Sequence, residues 1–511
     1  MVWLQKNKLI LLLAIIKFIL PFVLINPVWE LHRDEYLYFQ QGQHLALGYL
    51  ENPPLVGLLA RFSAWFGGSF IAIKIWPALF GALTLIVTSA IAREFGGKLF
   101  AQSIAATGIL FSAYMRVHFL FQPNFLDIFF WTLAAYYLVR YINTQQNKYF
   151  YLTGLALALG WWSKYSVVFF IVAMILSLLL TKDRTVFTKK HFWFAMLLTL
   201  VFISPNIAWQ YNHKFPLIHH MNELRETQLR YIDKSDFLKG QLLLLFPVLI
   251  VWLGGLVWTL MNNRYRIIGY MYLFIIFLLI IGSGKNYYSL GAYPMMLAAG
   301  GVWLENLTVR KIWIRYAVLL VILLLALPSV PLLIPMQLPA DMASSNKKYN
   351  LAKIGVLKWE DLHDHPLQQD FADMIGWKEL SEKSNRFYNS LDDSVKSNTI
   401  IYCRSYGQAG ALKYYGQDKN FRQSTICDNG TFLLWIPDSI EFKNLIFVGR
   451  HMPDKDDEVF NHFEKITLID SVTNSLSRQW GDKIIFFQNT DSMVTGLVRR
   501  GLNLKKSEFQ R

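Results

Sequence analysis

The chain is dominated by apolar runs, most of them close to 20 residues long, that recur between residues 9 and 334. About 20 helical residues span the roughly 30 Å hydrocarbon core of a bilayer, so each run is long enough to cross a membrane. Hydrophobic residues make up 54% of the sequence and aromatic residues 16%, which excludes an ordinary soluble globule. We therefore predict a polytopic α-helical membrane protein.

The runs and their connections predict a topology. The net charge of +15 does not point to nucleic acid, because many Lys and Arg residues lie in short loops between the runs. Loops on the side of the N-terminus carry more of them, so we predict a multi-pass protein of the plasma (inner) membrane with a cytoplasmic N-terminus. The first run has no small-x-small cleavage site before Pro27 and is expected to remain as a helix. We predict about eleven spanning helices, at 9–26, 70–92, 99–115, 123–141, 149–162, 165–181, 192–209, 240–261, 267–283, 288–305 and 313–334.

The composition changes to that of a soluble domain near residue 339. We predict a transmembrane domain at 1–338, with a long first external loop at 27–69, and an extracytoplasmic α/β domain at 339–511. In the loop, 36–48 and 55–66 have helical spacing and either lie in the membrane interface or pack as short helices on their neighbours. In the C-terminal domain we predict helical periodicity at 363–391, a turn and helix at 404–416, and strands at 399–403, 423–427, 432–436, 445–448, 466–469 and 484–487.

Both cysteines, Cys403 and Cys427, end predicted strands of this domain. Outside the cytoplasm a disulfide can persist, and a bond between them would close a loop of about 24 residues and stabilise by roughly 3 kcal/mol. The alternative is a pair of small buried apolar side chains.

Four segments resemble a known family. The stretch HRDEYLYFQQGQHLALGYLENPPL at 32–55 places a DE pair after the first membrane helix, then an aromatic segment ending in GY, then an acid and PPL. With FQPNFLDIFFWTLAAYYLVRY at 121–141, SKY at 163–165 and GKNYYSLGAYP at 284–294, it is similar to family 39 glycosyltransferases of the GT-C type. That family includes lipid A aminoarabinose transferases and protein O-mannosyltransferases. The likeness covers the membrane part and thins after about Leu338.

The resemblance implies an enzyme that moves a hexosyl or pentosyl group, with inversion, from a polyprenyl-phosphate donor. The acceptor would be a lipid, a glycan or a protein on the outer side of the membrane. Such a reaction needs an oriented or deprotonated acceptor, a stabilised departing phosphate and a site that excludes water.

Three acids are catalytic candidates. The resemblance makes Asp34 the base or acceptor-orienting group, and Glu35 a support for the loop or a ligand. Many relatives carry an Asp directly after the proline at 123, where this chain has Asn124. Asp127 lies one helical turn further on, so it either projects towards the same cavity or is a buried structural acid.

Cationic and aromatic residues are candidates for binding the donor phosphate, and Lys285 with Tyr287 and Tyr288 is the favoured group. A Lys at a membrane end also commonly extends to water as an anchor, and this alternative holds for Lys285 and for Lys164. Relatives often have a Lys in place of Asn52, and its loss here gives more weight to Lys285 and Arg225.

A divalent metal (Zn, Mg or Mn) is a possible cofactor. The resemblance implies that Glu51 helps to hold it, with His219 or His220 as a further ligand, because imidazole and carboxylate suit Zn²⁺. Loop histidines also serve as ordinary interfacial hydrogen-bonding groups.

Two other functions compete with the transferase. A transporter or flippase of a lipid-linked substrate also needs intramembrane charge, but it often has internal symmetry and broken helices in corresponding halves, which the sequence does not indicate. A third hypothesis makes the outer domain a binding module on an inactive membrane scaffold.

Overall fold

The computed structural model describes residues 7–227, 229–231, 233–450 and 462–510. Helices make up most of it, and a small sheet lies near the C-terminus, as the sequence predicts. The longer helices are Lys8–Leu24, Arg33–Gln43, Leu55–Trp65, Phe70–Glu94, Leu99–Leu110, Pro123–Thr144, Lys148–Ser163, Val167–Leu179, Lys190–Asn212, Pro216–Thr227, Lys234–Leu244, Leu249–Met261, Arg266–Ile281, Tyr293–Leu307, Ile312–Ala326, Pro339–Lys348, Trp377–Ser390, Tyr406–Tyr415 and Ser492–Ser507. Short helices of four to six residues are Tyr114–Val117, Val330–Leu333, Gln369–Ala372, Asp393–Lys396 and Lys419–Ser424.

Each predicted membrane segment contains helix, but 240–261 is divided into a pair bent by 70°, and the helix in 99–115 ends at Leu110. Several helix ends have local causes. The hydroxyl of Ser69 accepts a hydrogen bond from the backbone N–H of Ala72 and so caps Phe70–Glu94. Pro123 is the first residue of the helix Pro123–Thr144. Of the helices in the described ranges, Phe70–Glu94, Pro123–Thr144, Lys190–Asn212 and Ile312–Leu333 are long and apolar enough to span a membrane. A pair bent by 70°, Lys234–Leu244 with Phe246–Met261, would be a fifth. The number of spans and their orientation therefore stay predictions.

The first external loop forms the two predicted helices, Arg33–Gln43 and Leu55–Trp65. The side chain of Tyr36 is fully buried, and its ring packs edge-on against Trp377 and Tyr414 of the C-terminal region. The loop helices are therefore enclosed between the membrane helices and the C-terminal region.

The sheet has five strands: β1 (Thr399–Cys403), β2 (Thr425–Cys427), β3 (Asn444–Gly449), β4 (Phe463–Ser471) and β5 (Lys483–Thr490). Their order is β2-β1-β3-β5-β4, with β1 parallel to β2 and β3, and β5 antiparallel to β3 and β4. The strand predicted at 432–436 is wrong, because Gly430–Trp435 is a 3₁₀ helix that begins at a residue with φ of 62°. The periodicity predicted at 363–391 gives one longer helix, Trp377–Ser390.

Cys403 and Cys427 are directly opposite each other on β1 and β2, as the disulfide hypothesis requires. Both are nevertheless free thiols, and both are fully buried in the hydrophobic core of the C-terminal region. In this structure the prediction of a disulfide is wrong, and the alternative of two small buried side chains holds.

Candidate functional site

A cavity of about 1980 Å³ lies where the membrane helices meet the C-terminal region. One part of its wall is apolar and comes from the segments around the bent helix pair, with Leu217, Ile218, Leu242, Leu243 and Phe246. The other part is polar and charged. Of the predicted site residues, those that line the cavity are Asp34, Glu51, Lys164, His220, Lys285, Tyr287 and Tyr288.

Asp34 is held in place at the start of the helix Arg33–Gln43. Its Oδ1 accepts hydrogen bonds from the Tyr406 hydroxyl at 2.8 Å and from Arg33 Nε at 3.2 Å, and its Oδ2 accepts one from Gln122 Nε2 at 3.1 Å. Its backbone N–H donates to Nδ1 of His32, the N-cap of the helix, at 3.2 Å. These contacts aim the carboxylate at the cavity.

The same contacts determine the charge of Asp34. Burial alone would raise the pKa of this carboxyl, but the charges of Arg33 and His32 and the hydrogen bonds from Tyr406 and Arg33 outweigh burial. The pKa therefore lies well below its usual range, and Asp34 is ionised near neutral pH.

Glu35 does not line the cavity, although it follows Asp34 directly. It is fully buried, and both of its carboxylate oxygens accept hydrogen bonds from Lys74 Nζ, at 2.6 and 2.7 Å. It also accepts from the backbone N–H groups of His32 at 2.7 Å and Phe121 at 2.5 Å. The placement of Glu35 among the catalytic candidates is corrected, because its oxygens tie the loop to two neighbouring segments and leave it to support the loop.

Lys164 turns into the cavity instead of extending to water as an anchor. Its Nζ donates to Oδ1 of Asn124 at 2.7 Å and lies 4.2 Å from the ring centroid of Tyr288 and 5.4 Å from that of Tyr287. An amide oxygen and two aromatic faces bind an ammonium group without neutralising it. Burial lowers the pKa of Lys164 to about 8, against the opposing effect of the nearby Asp127, so the ammonium group beside the two tyrosines is mostly charged at neutral pH.

Lys285 also lines the cavity, but its charge is shared. Its Nζ lies 3.4 Å from Oε1 of Glu360, which also contacts Arg478 through Oε2 at 3.3 Å. Lys285 and Lys164 both line the cavity, as do Tyr287 and Tyr288.

Two other predicted residues lie away from the cavity. Asp127 is buried behind the cavity wall, where its Oδ2 accepts from the hydroxyl of Ser166 at 2.7 Å, so the structural alternative describes its position. Arg225 is exposed and does not line the cavity.

The residues predicted to hold a metal are not brought together. Oε1 of Glu51 accepts from the backbone N–H of Thr431 at 2.6 Å, and Oε2 accepts from the Thr431 hydroxyl. His219 packs edge-on against the ring of Phe509, and Nδ1 of His220 lies 4.0 Å from Glu223. Within the described ranges, no group of three or more His, Cys, Asp or Glu side chains is placed to hold a metal ion. The donor set does not fit a metal, and no step below uses one.

Several residues of the site were missed by the sequence predictions. Tyr406, Asn429 and Gly430 come from the C-terminal region and reach the cavity from the carboxyl ends of β1 and β2. A signal existed for Tyr406, because the sequence predicts a strand-to-helix turn there, and such turns commonly carry binding residues in α/β sheets. Gln122 carried no comparable signal.

Comparison with known proteins finds one family and one curated relative that are similar to part of the chain. The family described as dolichyl-phosphate-mannose-protein mannosyltransferase matches residues 51–209. The lipid A galacturonosyltransferase RgtD of Rhizobium johnstonii is 23% identical over 241 residues, which are 45% of this chain and 50% of that protein. The chain thus spans about half the length of that relative.

Two solved structures share the fold. The crystal structure of ArnT from Cupriavidus metallidurans bound to undecaprenyl phosphate has a TM-score of 0.63 at 12% identity, covering 95% of this chain and 99% of that one. The oligosaccharyltransferase of Archaeoglobus fulgidus, in a complex with Zn and sulfate, has a TM-score of 0.50 at 12% identity, covering 86% and 67%. The chain therefore has the GT-C fold, and its resemblance to GT-C glycosyltransferases is confirmed.

Proposed function

We propose that the chain is a multi-pass membrane glycosyltransferase that moves a sugar from a polyprenyl-phosphate donor to an acceptor on the outer side of the membrane. The observation that carries the proposal is that Asp34 and Lys164 lie in the polar part of one cavity, and that another part of the wall of this cavity is apolar. A fixed anion, a fixed cation and an apolar wall are the three features that this reaction requires.

The apolar wall suits the lipid part of the donor. Leu217, Ile218, Leu243 and Phe246 lie along the segments that include the bent helix pair, and all four line the cavity. A polyprenyl chain has no polar groups beyond its phosphate, so it gains free energy by leaving water for such a wall. This arrangement would bring the phosphate to the polar part of the cavity.

Lys164 is the residue that we assign to the donor phosphate, with Tyr287 and Tyr288 as hydrogen-bonding neighbours. Its hydrogen-bond partner is the neutral Asn124, and although Asp127 is close enough to act on it electrostatically, Lys164 lines the cavity and can meet an anion there. When the bond from the anomeric carbon to the phosphate oxygen breaks, the departing phosphate gains negative charge, and a pre-positioned cation stabilises it. Lys285 would assist, to a smaller degree because it shares Glu360.

Asp34 is the residue that we assign to the acceptor. In the transfer, the acceptor oxygen forms the new bond to the anomeric carbon, and the phosphate leaves with the electron pair. A hydroxyl acceptor becomes strongly acidic as this bond forms and gives its proton to the Asp34 carboxylate. A carboxylate with a strongly lowered pKa is a weak base, so we assign Asp34 mainly to orienting the acceptor and to countering positive charge at the anomeric carbon.

Transfer of a labelled sugar by the purified protein tests the proposal. The protein in lipid nanodiscs is incubated with polyprenyl-phosphate-linked pentoses and hexoses and with membrane extract as the acceptor, and products are identified by mass spectrometry. We expect transfer of label, and a loss of about 10²- to 10⁴-fold in Asp34→Asn at an unchanged level of folded protein. No transfer from any donor, together with movement of an intact lipid-linked sugar across vesicles, would establish the transporter instead.

A further inference from the structure

The C-terminal region presents the carboxyl ends of β1 and β2 to the cavity. Tyr406 begins the helix after β1, and Asn429, Gly430 and Thr431 follow β2. In parallel α/β sheets this edge is where ligands bind. Here it holds carboxylates of the first external loop, Asp34 against Tyr406 and Glu51 against Thr431.

Glu51 and Thr431 fix how closely the two parts approach. The Thr431 hydroxyl donates to Glu51 and accepts from the backbone N–H of Leu50 at 2.9 Å. Gly430 is in the left-handed region at φ of 62°, and a Cβ at this position would collide with Oε1 of Glu51. The loop therefore sits against the backbone of the C-terminal region without a gap.

The phenol of Tyr406 is held rigidly beside Asp34. Ser405 is the N-cap of the helix that Tyr406 begins. The backbone N–H of Tyr406 lies 3.4 Å from Oδ1 of Asn429. The Arg33 guanidinium lies 5.7 Å from the centroid of the Tyr406 ring. A side chain with this many constraints delivers its hydroxyl to one place.

Within the described ranges, the hydrogen bonds of Asp34 leave one acceptor position of its carboxylate without a donor. A carboxylate offers about four acceptor positions, two on each oxygen. Arg33 and Tyr406 use both positions on Oδ1, and Gln122 uses one on Oδ2. Because Asp34 lines the cavity, the remaining acceptor position on its Oδ2 is the one that can meet a ligand there.

We propose that Tyr406 is a positioning residue, which acts through Asp34 and makes the C-terminal region part of the catalytic site. By occupying Oδ1, its hydroxyl prevents the carboxylate from rotating and directs the free position of Oδ2 to the acceptor. The proposal rests on the proposed function. It also opposes the hypothesis that the outer domain is a separate binding module, since the domain's own ligand-binding edge is occupied by the loop.

A double-mutant cycle tests this in the full-length protein. Tyr406→Phe keeps the ring and removes the hydroxyl, and we expect kcat for sugar transfer to fall about 10- to 100-fold, with the donor KM nearly unchanged. In an Asp34→Asn background the same change should have almost no further effect, because Tyr406 acts through the carboxylate. If Asp34→Asn leaves no measurable product, Asp34→Glu replaces it in the cycle.

Tyr402→Phe is the matched control. The Tyr402 hydroxyl also donates to a carboxylate, Oδ1 of Asp428 at 2.7 Å, but both residues belong to the C-terminal region and neither lines the cavity. We expect its kcat to match that of the wild type.

Three results would overturn the inference: wild-type kcat in Tyr406→Phe, an equal loss in Tyr402→Phe, or the same fold-loss with and without the Asp34 substitution. Each of these requires an active wild-type protein. A wild type that transfers no sugar would instead refute the proposed function, so the two failures are distinguishable.

Discussion

Replacing Lys74 with methionine would leave the carboxylate of Glu35 buried without its counter-charge. The side chains of both residues are almost fully inaccessible, at 1% and 0% exposure. After the change, Glu35 would keep only the backbone N–H groups of His32 and Phe121 among the hydrogen-bond donors described here. Breaking a buried ion pair from one side costs about 3–5 kcal/mol. Against a total stability of about 5–15 kcal/mol, this is a severe destabilisation.

A second substitution should restore part of that loss. In Glu35→Gln with Lys74→Met no charge is buried, and the glutamine oxygen can still accept from one of the two backbone N–H groups. The remaining cost is that of neutral donors without an acceptor, namely the other backbone N–H and the amide N–H groups of the glutamine, in place of a buried unpaired charge. We therefore expect the double variant to be more stable than Lys74→Met, because a buried unpaired charge is more costly than neutral donors without an acceptor.

Thermal unfolding of the detergent-purified variants, followed by tryptophan fluorescence, measures this order. A double variant less stable than Lys74→Met would refute the reasoning, because it would show that the two losses add and that the charges do not depend on each other. Sugar transfer by the same variants tests the role of Glu35 separately. A double variant that is folded but inactive would make Glu35 catalytic after all.

Three further predictions concern other contacts of the site and its loop. Lys164→Ala should reduce use of the lipid-phosphate donor about 10- to 100-fold, and Lys164→Arg should restore part of it. Lys189→Ala is the control, because Lys189 also donates to a neutral partner and lies near an aromatic ring but does not line the cavity. Equal kinetics in both alanine variants would make Lys164 an anchor. Thr431→Val should destabilise by about 2–3 kcal/mol and speed hydrogen exchange at residues 44–52, because Glu51 loses a hydrogen bond; unchanged exchange would contradict this. Burial raises the pKa of Glu30 to about 7, although backbone N–H groups and Lys378 oppose the shift. The contribution of Glu30 to stability is therefore complete below about pH 4.5 and is lost as the pH rises through about 7. Glu30→Gln should flatten the pH dependence of the unfolding temperature across this interval, and an unaltered profile would exclude Glu30 as its source.

The helices could be predicted from the sequence because their signals are local. An apolar run with a cap such as Ser69 or an opening proline such as Pro123 defines a helix without reference to the rest of the chain. The same reasoning failed at 432–436, where a short apolar run has no period that separates a strand from a buried turn. Gly430, two residues before the start of that run, was the sign of a turn.

The roles of Asp34 and Glu35 could not be separated by sequence alone. Adjacent residues in a helix point about 100° apart, so only one of a DE pair can face a given cavity. Which one does so depends on where the helix Arg33–Gln43 packs, and that is decided by Lys74 on a different helix. The resemblance favours Asp34, which is the member that lines the cavity, and the period of the helix explains why Glu35 faces elsewhere.

The contacts that complete the site join residues very distant in sequence. Tyr406 is 372 residues from Asp34, Thr431 is 380 from Glu51, and the backbone N–H of Lys378, 2.8 Å from a carboxylate oxygen of Glu30, is 348 residues away. No local pattern encodes such pairs. In each of them the membrane part supplies the carboxylate and the C-terminal region supplies the donor. Removing the C-terminal region would leave three partly buried acids without these partners, at a cost of about 1–3 kcal/mol each or more. The first external loop would then lose the arrangement that aims Asp34 at the cavity, so the two regions must assemble together for the site to exist.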